Sequence, residues 1–502
     1  MNLWVTWFYA VMELRASCAR EATFLWVVIL MNNVVSSKTG IAALRANVES
    51  LISEIEAGQM ECSSADDFEK FEMEVQRRML EIADRLCGLK LQAVLDQEEL
   101  NKGEKELLKG LPKKYKNMGS RTVKIRMLGG TEIEVKLPYY HQKSDLKQLK
   151  KKGVKGLYPK LLLLGIHDGC TSGLISRMSL FATAACSLDE SKRLMETLYG
   201  FRLDVKLIRR VLRRFALRAR MCFESGAVQL DEEFRGRRVV VSTDGGRVRI
   251  RKKKRGKKTN KGRCRYKTDW REPKLILIYV LGENGEKDRH TPSVMDASMN
   301  GPDATFAMLL YYLKKLGVSA ADTLLFVSDG AKWIWDRVNK LIADLGINMS
   351  QCVLVLDFYH AVEHLTSIAS QKWTGAHVKS WVKAQKKRLL GGKYQIFMEK
   401  IEEICTGSEN ALLLREREYF KNHLAHMHYK EIKDAKLPIG SGGVESGIRR
   451  VINLRLKGPG IFWTEEMADA MLLLRSYYKA GRWNLLKSMA FIGGVNADNA
   501  CL

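Results

Sequence analysis

Hydrophobic and polar positions follow two main periods along this chain, and each period predicts a different kind of element. Between residues 41 and 108, apolar side chains recur at spacings of three and four, which predicts amphipathic helices. The segment 187–221 has the same period, with Ser187 and Glu190 as a capping box and Gly200 as a stop between two helices. From residue 237, short apolar runs alternate with helical stretches, which predicts an α/β domain with a mixed sheet.

Three further segments refine this outline. After His360 the pattern is helical as far as residue 438. Alternation on both sides of Gly129 and Gly130, in VKIRML-GG-TEIEVKL, predicts a β-hairpin. The opening runs MNLWVTWFYAVM and FLWVVILM are both shorter than the roughly 20 residues that span a bilayer. They predict a buried or interfacial helix, or residues added by an upstream start codon, and they give no support for a membrane partner.

A large positive charge narrows the class of partner. The 502 residues include 84 Lys and Arg against 57 Asp and Glu, a formal net charge of +27. A surplus of that size favours binding to polyanions, either nucleic acid or an anionic membrane surface. It argues against the class of ordinary metabolic enzymes. The ten cysteines are scattered without a CxxC pair, which predicts reduced thiols in a cytoplasmic protein and argues against a zinc module.

Two segments carry most of the surplus. Residues 102–160 hold 17 basic and 5 acidic residues, a net of +12. Residues 247–274 hold 15 basic and 2 acidic residues, a net of +13. The first contains the predicted hairpin and a basic linker, and the second lies between two predicted strands. The second segment would bind phosphates without reading sequence, and a solvated charge run is the alternative interpretation for it.

Three acids stand where a predicted strand or a glycine-rich segment ends. Asp244 follows VVVST, Asp329 follows LLFVS, and Glu445 follows IGSGG at the predicted start of a helix. Side chains at strand ends can converge at the rim of an α/β sheet. Carboxylates brought together there repel one another and need hard cations such as Mg²⁺ or Mn²⁺, two of which support phosphoryl transfer. A turn or cap role is the alternative for each acid taken alone.

Four segments in this order resemble those of bacterial insertion-sequence transposases of the DDE type, a group related to the Mutator-like transposases. They are STDGGRVRIR, LLFVSDG, VLVLDFYHAVEHL and GSGGVESGIRRVINLRLKGPGIFW. The resemblance is closest over residues 237–480 and weaker over residues 100–230. It implies an α/β RNase H-like catalytic domain with a helical insertion, preceded by mainly helical N-terminal DNA-binding regions.

The resemblance also implies roles for individual residues. Asp244, Asp329 and Glu445 would form the catalytic triad and bind two Mg²⁺ or Mn²⁺ ions. His360 would contact DNA near the scissile phosphate or help in proton transfer, with a core histidine as the alternative. Asp357 would support the metal site, with a helix N-cap as the alternative.

The expected DNA contacts come from three places. The predicted basic helix within 187–221 is compatible with a helix-turn-helix, or with a basic surface helix. The segments after Asp244 and after Glu445 would hold the phosphate backbone, and Trp463 would stack on an unpaired base. The residues concerned are Arg209, Arg210, Arg213, Arg214, Arg249, Arg251, Lys252, Lys253, Lys254, Arg255, Arg449, Arg450 and Trp463.

The predicted layout has five parts. These are an N-terminal helical region (1–100), a basic hairpin and linker (101–165), a helix-turn-helix-like region (166–230), a catalytic domain (231–361 with 439–485) and a helical insertion (362–438). The predicted function is that of a DNA transposase, which cuts the ends of an insertion sequence and joins them to target DNA. It would act on double-stranded DNA as a homo-oligomer of at least two subunits, at the bacterial nucleoid. A structure-specific RNase H-like nuclease and a catalytically inactive DNA-binding protein are the alternatives.

Overall fold

The computed structural model describes residues 38–56, 63–111, 114–142, 156–254, 256–260, 262 and 264–492. These residues form two compact units, one of residues up to 174 with 195–202 and one of 175–194 with residues from 203 onward. The predicted N-terminal apolar helix and most of the predicted basic linker lie outside the described residues. Every described helix is too short or too polar to cross a membrane.

The first unit combines helices with an antiparallel hairpin. Its elements are α1 (Lys38–Glu56), α2 (Ala65–Leu95), α3 (Glu98–Gly110), β1 (Tyr115–Arg126), β2 (Glu132–Gln142) and α4 (Pro159–Leu163). The predicted hairpin is present, and Ile125 of β1 lies buried in the core of this unit with Val135 and Leu137 of β2. Its turn is fixed by the buried Asp84 of α2, which accepts hydrogen bonds from the amides of Gly129 (2.9 Å) and Thr131 (3.0 Å).

The second unit contains the α/β region. The elements up to the last strand are α5 (Ser172–Ala184), α6 (Leu188–Tyr199), α7 (Val205–Glu224), β3 (Arg238–Gly245), β4 (Val248–Lys253), β5 (Tyr266–Arg271), β6 (Lys274–Leu281), β7 (Val294–Ser298), α8 (Gly301–Lys315), β8 (Thr323–Ser328), α9 (Lys332–Leu345) and β9 (Cys352–Leu356). Helices α5 and α6 each contain residues of both units.

Helices make up the rest of the second unit. They are α10 (Phe358–Lys372), α11 (Ala376–Leu390), α12 (Tyr394–Cys405), α13 (Ala411–His423), α14 (Tyr429–Asp434), α15 (Gly442–Ile448), a π-helical segment (Arg449–Asn453), α16 (Leu454–Leu456), α17 (Glu465–Lys479) and α18 (Trp483–Ile492). The segment predicted as a helical insertion is therefore helical, and its first helix begins at Phe358, before the predicted boundary.

The sheet is mixed, and the prediction of an α/β region with a mixed sheet is confirmed. Its five strands lie in the order β7-β6-β3-β8-β9. β3 pairs antiparallel with β6, as β6 does with β7, whereas β3 pairs parallel with β8, as β8 does with β9. Neighbouring residues of one strand face opposite layers: Val239 and Val241 pack with α8 and α9, and Val240 packs with the helices that follow β9. Helices cover both faces, which explains why the strands are nearly continuous apolar runs.

Helix α7, the predicted basic helix, is part of the second unit. Asp204 caps it by accepting a hydrogen bond from the Lys206 amide at 2.7 Å. Its apolar face, including Val211 and Phe215, is buried, and α7 packs against α17 and α18. The fully buried Arg218 donates to the Ala490 carbonyl oxygen at 2.7 Å. The predicted region 166–230 is helical and is divided between the two units, with α7 contributing to the core of the second.

Candidate active site

Asp244 and Asp329 end neighbouring parallel strands in the same row. The register of β3 and β8 matches Val241 with Phe326, and each aspartate comes three residues after its member of that pair. Adjacent strands lie about 4.8 Å apart. Ser328 Oγ donates to the Thr243 carbonyl oxygen at 3.0 Å, one row before the aspartates. The strand pairing thus brings these two predicted site residues together at one edge of the sheet.

A third aspartate follows the next strand. β8 pairs with β9 so that Ser328 matches Leu356, and Asp357 therefore follows β9 where Asp329 follows β8. The Asp357 amide donates to the Ser328 carbonyl oxygen at 2.8 Å, which extends the strand pairing by one step. Three acids thus end three successive parallel strands.

Asp357 has a different task from its two neighbours. It is fully buried and caps α10: its Oδ1 accepts from the amides of Tyr359 (2.6 Å) and His360 (3.0 Å). Its Oδ2 accepts from the amide of Ser441. Both carboxylate oxygens are therefore engaged with backbone donors. Of the two interpretations of Asp357, the structure shows the helix cap, which ties α10 to the segment before α15.

Glu445 reaches this edge from α15, which lies against β3 and β6. Two glycines, one helical turn apart, make the close approach possible. A Cβ atom at Gly447 would stand 2.6 Å from Leu275 Cδ2, and one at Gly443 would stand 3.0 Å from Leu277 Cδ2. The glycine-rich sequence before and after Glu445 is thus explained by packing on the sheet. The Glu445 side chain itself is 49% exposed.

His360 lies between two glutamates. Its Nε2 is 3.7 Å from Glu445 Oε1, and its Nδ1 is 3.5 Å from Glu363 Oε2. Ser441 Oγ donates to the same Glu445 oxygen at 3.3 Å. The imidazole is 36% exposed, so it is not the core histidine of the alternative interpretation. The structure thus brings His360 to Glu445 at the edge of the sheet.

The electrostatics of the aspartates reflect their enclosure and their proximity. The pKa of Asp244 is raised to about 6, first by burial and then by the negative charges of Asp329 and Glu445, against the hydrogen bond from the Gly245 amide at 2.6 Å. Burial also raises the pKa of Asp329, against the hydrogen bond from the Ala331 amide. The positive charge of a bound cation would favour the ionised form of both carboxylates.

The chemistry of these donors fits a hard divalent cation. Among the described residues, no group of three or more His, Cys, Asp and Glu side chains is arranged to hold a metal ion as it stands. Asp244, Asp329 and Glu445 nevertheless supply only carboxylate oxygens, which Mg²⁺ and Mn²⁺ prefer. The two aspartates lie half-buried in one row of paired strands, so a bound ion would relieve the repulsion between their charges. These three residues are the ones that would hold it.

Two side chains that sequence reasoning missed support Asp329. The positive charge of the buried Lys274 works against the burial that raises the pKa of Asp329; its Nζ lies 2.6 Å from Glu272 Oε1 and 4.0 Å from the centre of the Trp333 ring. The indole Nε1 of Trp335 donates to the Asp329 carbonyl oxygen at 2.6 Å. The sequence does distinguish Lys274, because it is a lysine at the first position of an apolar strand. It is also the last residue of the basic segment 247–274, and it was predicted only as part of that segment.

A third missed residue comes from the helical segment between β9 and α15. Tyr419 of α13 lies against Gly330: a Cβ atom there would stand 2.1 Å from Tyr419 Cε2. Its ring stacks on His364 with 3.7 Å between ring centres. Its buried hydroxyl has no hydrogen-bond partner among the described residues. Burial, followed by the charges of Asp329 and Asp357, raises its pKa. Nothing in the sequence marks this tyrosine, which follows Asp329 by 90 positions.

The predicted DNA-contacting residues of α7 point away from its buried face. Arg209, Arg210 and Arg213 are exposed, and Arg214 is half-buried. Arg213 is paired with Glu466 at 2.9 Å. After Glu445, Arg449 and Arg450 are exposed at the start of the π-helical segment. The buried Arg475 holds that segment by donating to carbonyl oxygens of Arg450 and Val451.

The predicted basic segment after Asp244 forms an antiparallel pair of strands, β4 and β5, called the ribbon below. Arg251, Lys253 and Lys254 are exposed, Arg249 is half-buried, and Lys252 is paired with Asp269 at 2.7 Å. The prediction for Arg255 falls outside the described residues.

The prediction for Trp463 is wrong in this structure. The side chain is 8% exposed, its Nε1 donates to the Leu456 carbonyl oxygen at 3.1 Å, and Arg455 covers its ring. A buried indole is not available for stacking on a base. The sequence misled because Trp463 and its neighbour Phe462 lie beside β4, where side chains alternate between the two faces.

Comparison of the sequence with protein-family models and with curated proteins finds no match.

Proposed function

We propose that this protein is a DNA transposase of the DDE type, which cuts the ends of an insertion sequence and joins them to target DNA. The observation that carries the proposal is the placement of three carboxylates at one edge of the sheet: Asp244 and Asp329 lie in one row of β3 and β8, and Glu445 lies on α15, which packs against β3 and β6. The mixed sheet covered by helices is compatible with an RNase H-like catalytic domain. The reaction class comes from the resemblance of four segments to this group.

The three carboxylates would hold Mg²⁺ or Mn²⁺, which supplies activation of the attacking oxygen and stabilisation of the leaving oxygen in phosphoryl transfer. Asp244 and Asp329 present their oxygens from rigid strand ends, and the pairing of β3 with β8 sets their separation. Glu445 is more exposed and lies on a helix, so it can adjust as substrate enters. Asp357 acts only through others, by fixing α10 and Ser441.

The chemistry consists of two displacements at phosphorus. In the first, the oxygen of water bonds to the phosphorus at the element end, and the bond to the 3′ oxygen breaks and leaves a 3′-hydroxyl. In the second, that hydroxyl oxygen bonds to a target phosphorus and displaces a target 3′ oxygen. His360, half-exposed and 3.7 Å from Glu445, is placed to accept and return a proton in these steps.

A strand-transfer assay tests the proposal. The substrate is a labelled duplex carrying the inverted repeats that flank the coding sequence, with supercoiled DNA as target and Mg²⁺ or Mn²⁺ present. Asp244→Asn, Asp329→Asn and Glu445→Gln should each reduce cleavage and joining by roughly a thousandfold or more, because each removes several kcal/mol of stabilisation of the transition state. Asp322→Asn is the matched control, since this exposed acid precedes β8 whereas Asp329 follows it.

Each outcome of the assay assigns one class of protein. Cleavage without joined product means a structure-specific nuclease, and binding without cleavage in either metal means a DNA-binding protein that lacks catalysis. Retention of activity by any one of the three variants would remove that residue from the site.

A further inference from the structure

The ribbon has two faces of different chemistry, and its strand pairing defines them. One face of β4 carries Val248, Ile250 and Lys252, because alternate residues of a strand point to the same side. Val248 and Ile250 are buried, so this side is the inner face. The opposite side, called the outer face, combines three residues of β4 with their partners on β5. They are Arg249 opposite Trp270, Arg251 opposite Thr268, and Lys253 opposite Tyr266.

Large aromatic side chains on the outer face are open to solvent. Trp270 is 51% exposed and Tyr266 is 45% exposed, although aromatic rings of this size are usually buried. Phe462 lies beside them, with 5.6 Å between its ring centre and that of Tyr266. The outer face is therefore an exposed aromatic surface rather than part of a core.

Cations are interleaved with these rings. The Arg249 guanidinium lies 5.0 Å from the Trp270 ring centre and 5.1 Å from that of Phe462. The Arg251 guanidinium lies 5.5 Å from the Tyr266 ring centre. These contacts hold the rings in place by cation–π attraction. None of the six residues that define the outer face is acidic; Asp269, the one acid of the ribbon strands, is on the inner face and paired with Lys252.

We propose that the outer face binds unpaired nucleotides of a nucleic-acid strand. Bases stack on Trp270 and Tyr266, and the phosphates pair with Arg251 and Lys253. Aromatic rings interleaved with cations suit this ligand, because every base has a face that can stack and every linkage carries a negative charge. A base pair within a duplex offers no free face. The inference rests on the proposed function for the choice of DNA and deepens it by assigning a site for unpaired bases.

The position of the outer face relative to Asp244 sets where these nucleotides lie. β4 begins four residues after Asp244, and the two ends of the ribbon are joined by the hydrogen bond from the Gly246 amide to the Pro273 carbonyl oxygen at 2.9 Å. Arg249, opposite Trp270, is five residues from Asp244, or at most roughly 17 Å at 3.4 Å per residue. The base stacked on Trp270 therefore belongs within about five nucleotides of the reacting phosphate.

Fluorescence anisotropy of labelled oligonucleotides tests the inference with the full chain in EDTA, where no cleavage occurs. The probes are a short oligo(dT) single strand, a duplex of the same length, and a single strand of the same length made of abasic sugar-phosphate. Trp270→Ala should weaken binding of oligo(dT) by about 5- to 150-fold, the effect of losing one base stack. It should change binding of the duplex and of the abasic strand by less than about threefold.

Two variants control for other effects of the substitution. Trp270→Phe keeps an aromatic ring and should restore most of the affinity for oligo(dT). Gln229→Ala replaces an exposed neutral side chain outside the ribbon and should leave all three affinities unchanged. Equal losses on all three probes for Trp270→Ala, or no loss on any, would overturn the inference. It would also be overturned if polyglutamate bound the protein as tightly as oligo(dT).

The binding assay separates this inference from the proposed function. Base-dependent binding to oligo(dT) that Trp270→Ala removes supports the inference, even if the strand-transfer assay gives no cleavage. Cleavage and joining with no base-dependent binding supports the function and removes the inference.

Discussion

Two neighbouring regions of the chain differ in how they hold charge: the aspartate edge, which is the edge of the sheet with Asp244 and Asp329, and the outer face of the ribbon. At the edge, Asp244 and Asp329 are partly enclosed, so that burial and mutual repulsion raise the pKa of Asp244 to about 6. On the outer face, Arg251 and Lys253 are exposed, and the neighbouring groups are aromatic rings. The half-buried carboxylates of Asp244 and Asp329 would be stabilised by a bound cation. The exposed Arg251 and Lys253 side chains can instead pair with the phosphates of a long polyanion.

The hairpin of β1 and β2 shows that a basic segment need not become such a surface. Its solvent side pairs cations with acids across the strands: Arg126 with Glu132 at 2.5 Å, and Lys124 with Glu134 at 3.5 Å. The ribbon carries its acid on the inner face instead. The two strand pairs therefore differ in how much positive charge they leave unpaired. Composition and register both contribute: β1 and β2 hold 5 basic and 2 acidic residues, with each acid directly opposite a cation, whereas β4 and β5 hold 6 basic residues and 1 acid.

The largest expected effect concerns the two faces of the ribbon. Ile250→Ala should lower the free energy of unfolding by about 2–5 kcal/mol, because Ile250 is 1% exposed and its loss leaves a cavity. Thr268→Ala, on the exposed outer face, should change it by less than about 0.5 kcal/mol. Urea unfolding followed by circular dichroism measures both. Similar values for the two variants would mean that the faces are not distinct in solution.

The next effect tests the enclosed charge at the aspartate edge. Because the pKa of Asp244 is raised, ionisation favours the unfolded chain, so this residue's contribution to stability falls as pH rises from about 4 to about 6. In metal-free buffer at pH 8, Asp244→Asn should raise the free energy of unfolding by up to about 3 kcal/mol while abolishing cleavage.

Asp269→Asn is the matched control for this stability change. The hydrogen bond and charge of Lys252 lower the pKa of Asp269, so its ionised form is favoured in the folded protein. Its replacement should give no gain in stability at pH 8. If Asp244→Asn also gave no gain in stability at pH 8, the Asp244 carboxylate would not be enclosed as the structure describes it.

Two features of the sequence, its hydrophobic periodicity and the position of acids at strand ends, gave the most accurate structural predictions. Apolar runs ending in Asp244 and Asp329 indicated both the strands and the acids, because β-strands buried on both faces are continuous apolar segments. The same signal did not distinguish Asp357 from a metal-site residue. Its role depends on backbone donors at Tyr359, His360 and Ser441, which a one-dimensional pattern does not contain.

Tertiary contacts decided the remaining positions. Trp463 and Trp270 are equally aromatic in the sequence, and only the arrangement around β4 buries the first and exposes the second. The basic helix α7 has the period of a surface helix, yet its fit against α17 and α18 places it in the core of the second unit. The packing of α13 places Tyr419 against Gly330, next to Asp329, and no local sequence pattern predicts this contact.

A smaller effect is expected in the salt dependence of binding. Removing two phosphate-binding cations in the double variant Arg251→Ala/Lys253→Ala should reduce the slope of log K against log salt for oligo(dT) by roughly 1.4. Lys124→Ala/Arg126→Ala in the first hairpin should reduce it less, because these cations are paired with Glu134 and Glu132. Anisotropy titrations over a range of salt concentrations measure both slopes. Equal reductions would remove the distinction between the two hairpins.

The smallest effect concerns Tyr419, which we expect to act as a positioning residue for Asp329. Its hydroxyl is buried without a partner among the described residues, so Tyr419→Phe should leave stability unchanged or slightly higher. If the hydroxyl orients the Asp329 carboxylate once substrate is bound, kcat for cleavage should fall by about 2- to 12-fold with KM for DNA unchanged. Tyr429→Phe is the control: it also removes a buried hydroxyl that has no hydrogen-bond partner within the described part of the chain, but Tyr429 packs against Phe358. A rise in KM, or an equal fall in kcat for both variants, would contradict this role.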